Sequence, residues 1–204
     1  MRKVKDMKEI YTIGYAGYRN SLEMIRILQQ FHVKCLIDIR SIPYSTYRPE
    51  FNKDNLSELL KKEKILYRHY PKEFGARQTE FINSEGFVDF EAVARSERFK
   101  EGLAKVDQAI EKGYVIALMC AEKDPKDCHR SILIGRAMKE NGYVVKHITP
   151  PRKIETQEEL ERRCAEKQIS MFDTGDPIET FYREQARKIA FKSAEKTFAA
   201  ASAE

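Results

Sequence analysis

The run Val33-Lys34-Cys35-Leu36-Ile37-Asp38-Ile39 constrains this chain most, because it is apolar at nearly every position rather than at every second one. A strand with one wet face alternates; a near-continuous run needs apolar cover on both faces, as in a parallel sheet between helices. Residues 10–15, 65–70, 114–119 and 143–148 are further short runs rich in β-branched and aromatic residues. The stretches between them carry helical spacing. Ser21 is placed to cap a helix through Leu22, Ile25, Ile27 and Leu28 that ends near His32. Asn52 or Asp54 opens one through Leu56, Leu59 and Leu60, and residues 90–112 read as helix in two pieces meeting near Ser96. Residues 130–141 form another, with Gly142 as its left-handed cap. Strand, helix, strand in this order is the βαβ unit. The fold class is therefore α/β: three layers, a mostly parallel five-stranded sheet with flanking helices, and a helical C-terminal tail.

Two segments escape this rhythm. Residues 40–52 are irregular, broken by Pro43 and Pro49, and residues 71–86 read as a long loop. Thr149-Pro150-Pro151 then stops the alternation. The α/β domain is thus placed at 9–150, and 151–204 is read as a helical extension packed on or beside it, with helices at about 156–167 and from Pro177 onward and a frayed alanine-rich end.

A chain of 204 residues buries a core without staples. Its formal charge of +5 tolerates an anionic small molecule or nucleic acid as partner without requiring one, since a lysine-rich solvated surface gives the same balance. No run of about 18 apolar residues exists, so no membrane span is expected, and the charged first residues are not a signal peptide. Four cysteines far apart, save one pair, suit a reducing cytoplasm rather than a disulfide scaffold. Nothing in the sequence names a cofactor or an oligomeric state.

Chemistry concentrates where the run ending at Cys120 meets Glu122, Pro125, Cys128, His129 and Arg130. Ligands in open parallel sheets collect beyond the carboxyl ends of the strands. There the expected strands present Gly14 and Tyr15, Asp38 to Arg40, His69 and Tyr70, and Cys120 to Glu122 as one pocket. Arginines with aromatic walls suit a phosphate carrying a flat ring, although a single arginine is more commonly a surface ion pair. Cys120 has several readings. It is a nucleophile if Arg130, His129 or the following helix lowers its pKa, and a small apolar group if it only closes a strand. A switch disulfide with Cys128 is a further reading. Cys120, Glu122, Cys128 and His129 also offer metal ligands, but adjacent Cys and His without a second Cys-x-x-Cys is a weak zinc pattern, and no metal is assigned. Gly14-x-x-Gly17 lacks a nucleotide fingerprint and reads as a tight turn. Cys35 and Cys164 are read as structural.

Several separated motifs occur in one order: Thr12-Ile13-Gly14-Tyr15, Asp38-Ile39-Arg40-Ser41-Ile42-Pro43, Phe51-Asn52, Tyr67-Arg68-His69-Tyr70-Pro71, Phe74-Gly75-Ala76-Arg77, and Cys120-Ala121-Glu122 with Cys128-His129-Arg130. In these the chain resembles the family called domain of unknown function 488, over about residues 10–148. The family usually has His where Tyr15 stands and often Gly-Gly-Arg where Gly75-Ala76-Arg77 stands. Leu36 to Arg40, and Cys120 with Arg130-Ser131, also resemble the layout of the rhodanese fold, but the loop from Cys120 to Arg130 is longer than a rhodanese anion cradle. The expected function is an enzyme acting on an anionic, phosphate-bearing substrate, with nucleotides and nucleic acid among the candidates, in a pocket at the strand ends. Cys120, Glu122, Cys128, His129 and Asp38 are the candidate catalytic residues. Tyr15, Arg40, Ser41, Tyr47, Arg48, His69, Arg77 and Arg130 are the candidate binding residues. A non-catalytic nucleic-acid-binding module and a rhodanese-like thiol or redox protein are the alternatives.

Overall fold

Parallel strands β1 (Lys8–Gly14), β2 (Cys35–Asp38), β3 (Leu66–His69), β4 (Ile116–Cys120) and β5 (Tyr143–Thr149) form the sheet expected from the apolar runs. The computed structural model describes residues 8–166 and 176–192. A sixth strand, β6 (Lys153–Thr156), pairs antiparallel with β5, so the order is β3-β2-β4-β1-β5-β6. This corrects the five-strand count. Lys-Ile-Glu-Thr is short and charged, and it joins the sheet because the chain turns back after Thr149 and pairs antiparallel with β5.

Helices α1 (Ser21–Gln30) and α2 (Lys53–Lys62) cover one face, burying Met24, Ile25, Leu28, Leu56 and Leu60 against Leu36, Ala117 and Met119. Asn20, not Ser21, caps α1, its side chain accepting from the Glu23 amide. Asn52 precedes α2 but spends its side chain on the Ser45 amide. The opposite face packs on α4 (Phe90–Arg95), α5 (Glu97–Glu111), α6 (Arg136–Glu140), α7 (Gln157–Ala165) and α8 (Pro177–Ile189). The expected loop at 71–86 contains a short helix, α3 (Pro71–Phe74), and a 3-10 turn, Thr79–Phe81. α4 and α5 break at Ser96, whose side chain caps α5. The alanine-rich end lies outside the described residues. Burying a side chain such as Leu28 or Phe99 is worth about 1.5–3 kcal/mol, and these layers are what hold the sheet.

The side-chain period of two divides β4 cleanly. Ala117 and Met119 face α1 and α2, whereas Ile116, Leu118 and Cys120 face the other layer. Both neighbours of β4, β1 and β2, send their following connections to α1 and α2, while β4 sends its own to α6. The carboxyl end of β4 is therefore a topological switch point, the position where open α/β sheets leave a crevice.

Candidate functional site

Cys120 is the last residue of β4, and the chain turns there through Glu122 and a 3-10 turn, Pro125–Asp127, before Cys128 and His129. Arg130–Gly135 is π-helical and continues into α6. A wider helical turn of this kind is uncommon and recurs at functional sites. Gly135 lets it pack against Gln157, since a Cβ there would meet Gln157 Oε1 at 2.2 Å.

This turn brings four side chains to one point. One ligand-type atom from each of Cys120, Glu122, Cys128 and His129 lies within 4.8 Å of all the others. Both sulfurs lie within hydrogen-bonding distance of the same carboxylate oxygen, Glu122 Oε2, at 3.0 Å from Cys120 and 2.8 Å from Cys128. His129 Nδ1 stands 3.5 Å from Cys120 Sγ and 4.0 Å from Cys128 Sγ. Its Nε2 faces the Ile39 carbonyl at 3.2 Å, tying the cluster to the end of β2. Cys120, Cys128 and His129 are buried, and Glu122 is the member that reaches solvent.

The thiols differ in character. Burial pushes Cys120 well above the usual thiol range, and Cys128 and Glu122 reinforce it. Burial opposes ionisation of Cys128 too, but hydrogen bonding from Cys120, the Arg130 charge and His129 outweigh it and hold that thiol well below its usual range. Glu122 is raised by burial of its carboxyl and by Cys128. Burial disfavours the imidazolium of His129, yet Cys128 raises its pKa overall.

Arg130 is completely buried. Its guanidinium donates to the carbonyls of Glu122 and, at 3.0 Å, of Lys123. Its Nε has no partner, and among the described residues no carboxylate pairs with it. Gly14 makes room for this: a Cβ there would lie 1.8 Å from the Glu122 oxygen and 2.7 Å from Arg130 Nη1. Its φ of −115° is ordinary, so close approach, rather than left-handed turn geometry, explains the glycine.

Asp38 belongs to a different network, on the α1/α2 face. It accepts a forked pair from Arg40 (Nε at 2.9 and 3.1 Å, Nη2 at 2.5 Å) and the Tyr67 hydroxyl at 2.7 Å. Arg40 also donates to the Phe51 carbonyl and lies 5.1 Å from the centre of the Tyr15 ring, which stacks on Phe51. Arg48 is spent on the Tyr18 and Arg19 carbonyls and Glu50. His69 Nε2 meets the Arg40 carbonyl at 2.8 Å, and Ser41 Oγ accepts from the Arg77 amide at 3.0 Å. The expected single pocket is thus split by the sheet. Arg40, Arg48 and Arg130 serve the protein's own acceptors, while Tyr47 (92 % exposed) and Arg77 face solvent. Sequence reasoning missed Tyr67; its signal was a hydroxyl two residues before His69, on the face of β3 that Asp38 shares.

Two clefts, of about 770 and 730 Å³, lie away from the thiols. The first, at the amino edge, is rimmed by Lys34, Lys61, Lys64 and Lys112. Lys61 lies in the last turn of α2 and Lys112 directly follows α5, where cations offset the negative helix end. The second lies beneath α8 and is walled by Tyr182 and Arg136. Among the described residues, no helix is long and apolar enough to cross a membrane.

A family model described as "Domain of unknown function DUF488" matches residues 22–137. No curated protein and no solved structure matches the chain, so the resemblance in layout to the rhodanese fold gains no structural relative.

Proposed function

The chain belongs to the domain of unknown function 488 family, and we propose that it is a hydrolytic enzyme whose reactive centre is Cys120, Glu122, Cys128 and His129. The carrying observation is the convergence of these four groups within 4.8 Å at the switch point of the sheet. Packing alone would use apolar side chains there; buried polar groups that face one another are costly to assemble and recur where chemistry is done. Glu122 joins the buried groups to solvent, so it is assigned as the proton carrier: it takes the proton of an attacking water and returns it to the leaving oxygen. The substrate class is a phosphate-bearing molecule with a flat ring, a nucleotide or a nucleic acid. Exposed Tyr44 and Tyr47 on the loop after β2 offer a stacking surface, and exposed Lys123 and Arg77 offer charge at the same edge. Asp38 and Arg40 act as a brace beneath that loop. Four unpaired thiols suit a reducing cytoplasm.

The exposed Tyr44 and Tyr47 also favour the second reading, a binding module without catalysis. Thiol transfer of the rhodanese kind is less well supported, because both sulfurs are buried and Arg130 points at loop carbonyls rather than into an anion cradle.

Hydrolysis of nucleotides, phosphomonoesters and single-stranded oligonucleotides by the purified chain, compared with Glu122→Gln, tests the proposal. Turnover should fall about 100-fold or more in the variant, the usual weight of a general acid–base group, at unchanged far-UV circular dichroism. Salt-dependent oligonucleotide binding with no turnover of any of these substrates would replace the enzyme by the binding module.

A further inference from the structure

We infer that the same cluster is a metal centre, in which Cys120, Cys128 and His129 hold one zinc ion and Glu122 fills an exchangeable fourth position. The inference rests on the reading of this cluster as the reactive centre for its role, but its geometry stands independently.

Donor chemistry comes first. Two sulfurs, an imidazole nitrogen and a carboxylate oxygen form a soft-to-borderline set that suits zinc and disfavours magnesium and calcium, which take oxygen. Spacing comes second. Zinc bonds of about 2.3 Å to sulfur and 2.1 Å to nitrogen, at tetrahedral angles, set the ligands about 3.6 Å apart. The sulfur-to-nitrogen separations of 3.5 and 4.0 Å bracket that value. The sulfur-to-oxygen separations of 3.0 and 2.8 Å are shorter, so metal binding would require Glu122, the member that reaches solvent, to shift outward.

The surroundings agree. A ligating histidine commonly gives its second ring N–H to a backbone carbonyl, which fixes the tautomer. His129 Nε2 donating to Ile39 O at 3.2 Å leaves the Nδ1 lone pair aimed at the sulfurs. The Arg130 amide lies 3.4 Å from Cys128 Sγ, an N–H placed to support a thiolate.

Charge gives an independent argument. A buried guanidinium without a carboxylate partner is expensive, and Arg130 is such a group among the described residues. Two thiolates and one carboxylate carry three negative charges. One zinc ion supplies two positive charges and Arg130 the third, so the filled centre is neutral. Neither a structural thiol pair nor a switch disulfide accounts for Arg130 in this way.

With three buried ligands and one residue that reaches solvent, water or substrate would reach the ion through the Glu122 position. A fourth position that water can take by displacing Glu122 would make this a catalytic rather than a structural zinc site. The bound ion would lower the pKa of a water there to about 7, and Glu122, displaced from the metal, would receive its proton.

The test uses the full chain, stripped with a chelator and titrated with cobalt(II) and then zinc. One cobalt per chain should appear with thiolate-to-cobalt charge-transfer absorption and the intense visible bands of a tetrahedral site, and zinc should displace it. Cys120→Ser and Cys128→Ser should each weaken binding at least 100-fold, Glu122→Gln about 10-fold or less, and Cys35→Ser not at all. Should the cluster variants fail to fold, the wild-type chain still decides: bound zinc should shield Cys120 and Cys128 from alkylation, read by mass spectrometry, but leave the labelling of Cys164 unchanged. Absence of stoichiometric cobalt binding, or a spectrum without thiolate bands, overturns the metal centre. If turnover then still depends on Glu122, the enzyme reading survives without it. Full metal binding with turnover indifferent to Glu122→Gln would instead support the metal centre and overturn the hydrolytic role.

Discussion

Asp38 ends β2 and Cys120 ends the neighbouring β4, yet their side chains leave opposite faces of the sheet, and the networks they enter differ in kind. Around Asp38 the polar groups answer one another: Arg40 forks onto the carboxylate, Tyr67 donates to it, and the remaining guanidinium contact goes to Phe51. Around Cys120 the arrangement is open-ended. Two sulfurs crowd one carboxylate oxygen, and a buried arginine beside them has only carbonyls for partners. The first network satisfies its own polar groups, whereas the second leaves a buried guanidinium without a carboxylate partner among the described residues, which is the charge the proposed metal centre would balance. Residue type does not separate the two regions, since both hold an acid, an arginine and a histidine.

Removing the keystone of each region breaks the comparison most directly. Asp38→Ala strands a buried guanidinium and the Tyr67 hydroxyl, and urea unfolding at neutral pH should show a loss of about 3–5 kcal/mol. A loss under about 1 kcal/mol would mean that the Asp38 network is no brace.

Acid sharpens the comparison on the thiol side. The π-helix rests on a neutral chain of hydrogen bonds, Thr12 to His147 to Gln157 to Ser131. Burial, followed by the Arg130 charge, lowers His147 to about 3. The unfolded chain takes up this proton below about pH 6.5 and the folded one only near pH 3, so stability is full above the unfolded value and falls as pH drops through that window. The share from His147 should reach about 2 kcal/mol at pH 5. Urea midpoints between pH 7 and 5 for wild type and His147→Gln check this: the wild type should lose the greater stability, and parallel slopes would exclude His147 as the source.

Cys120→Ala should have the smallest effect. In chelator-treated protein it removes weak S–H bonds and little volume, for a loss of about 1 kcal/mol. In zinc-loaded wild type the melting temperature should rise well above that of the stripped chain, and the variant should show no such rise. A large loss in the stripped protein would make the thiol a packing residue.

Much of this was legible in the sequence, for identifiable reasons. The run through Leu36 and Ile37 demanded cover on both faces, and the break at Ser96 and the turn at Gly142 obeyed local capping chemistry. β6 was not legible, because Lys-Ile-Glu-Thr has no strand signal of its own and becomes a strand only by pairing with β5. Within the site, the Cys120 turn stood out as a cluster of reactive types, but its grouping with Asp38, Arg40 and Arg48 did not survive. The sequence by itself determined the α/β layering, the motif order and the family, since periodicity and spacing are local properties of the chain. Only the tertiary structure decided which charges face which. The pleat sends alternate residues to opposite sides of the sheet, and the register between β2 and β4 then puts Asp38 on one side and the Cys120 cluster on the other.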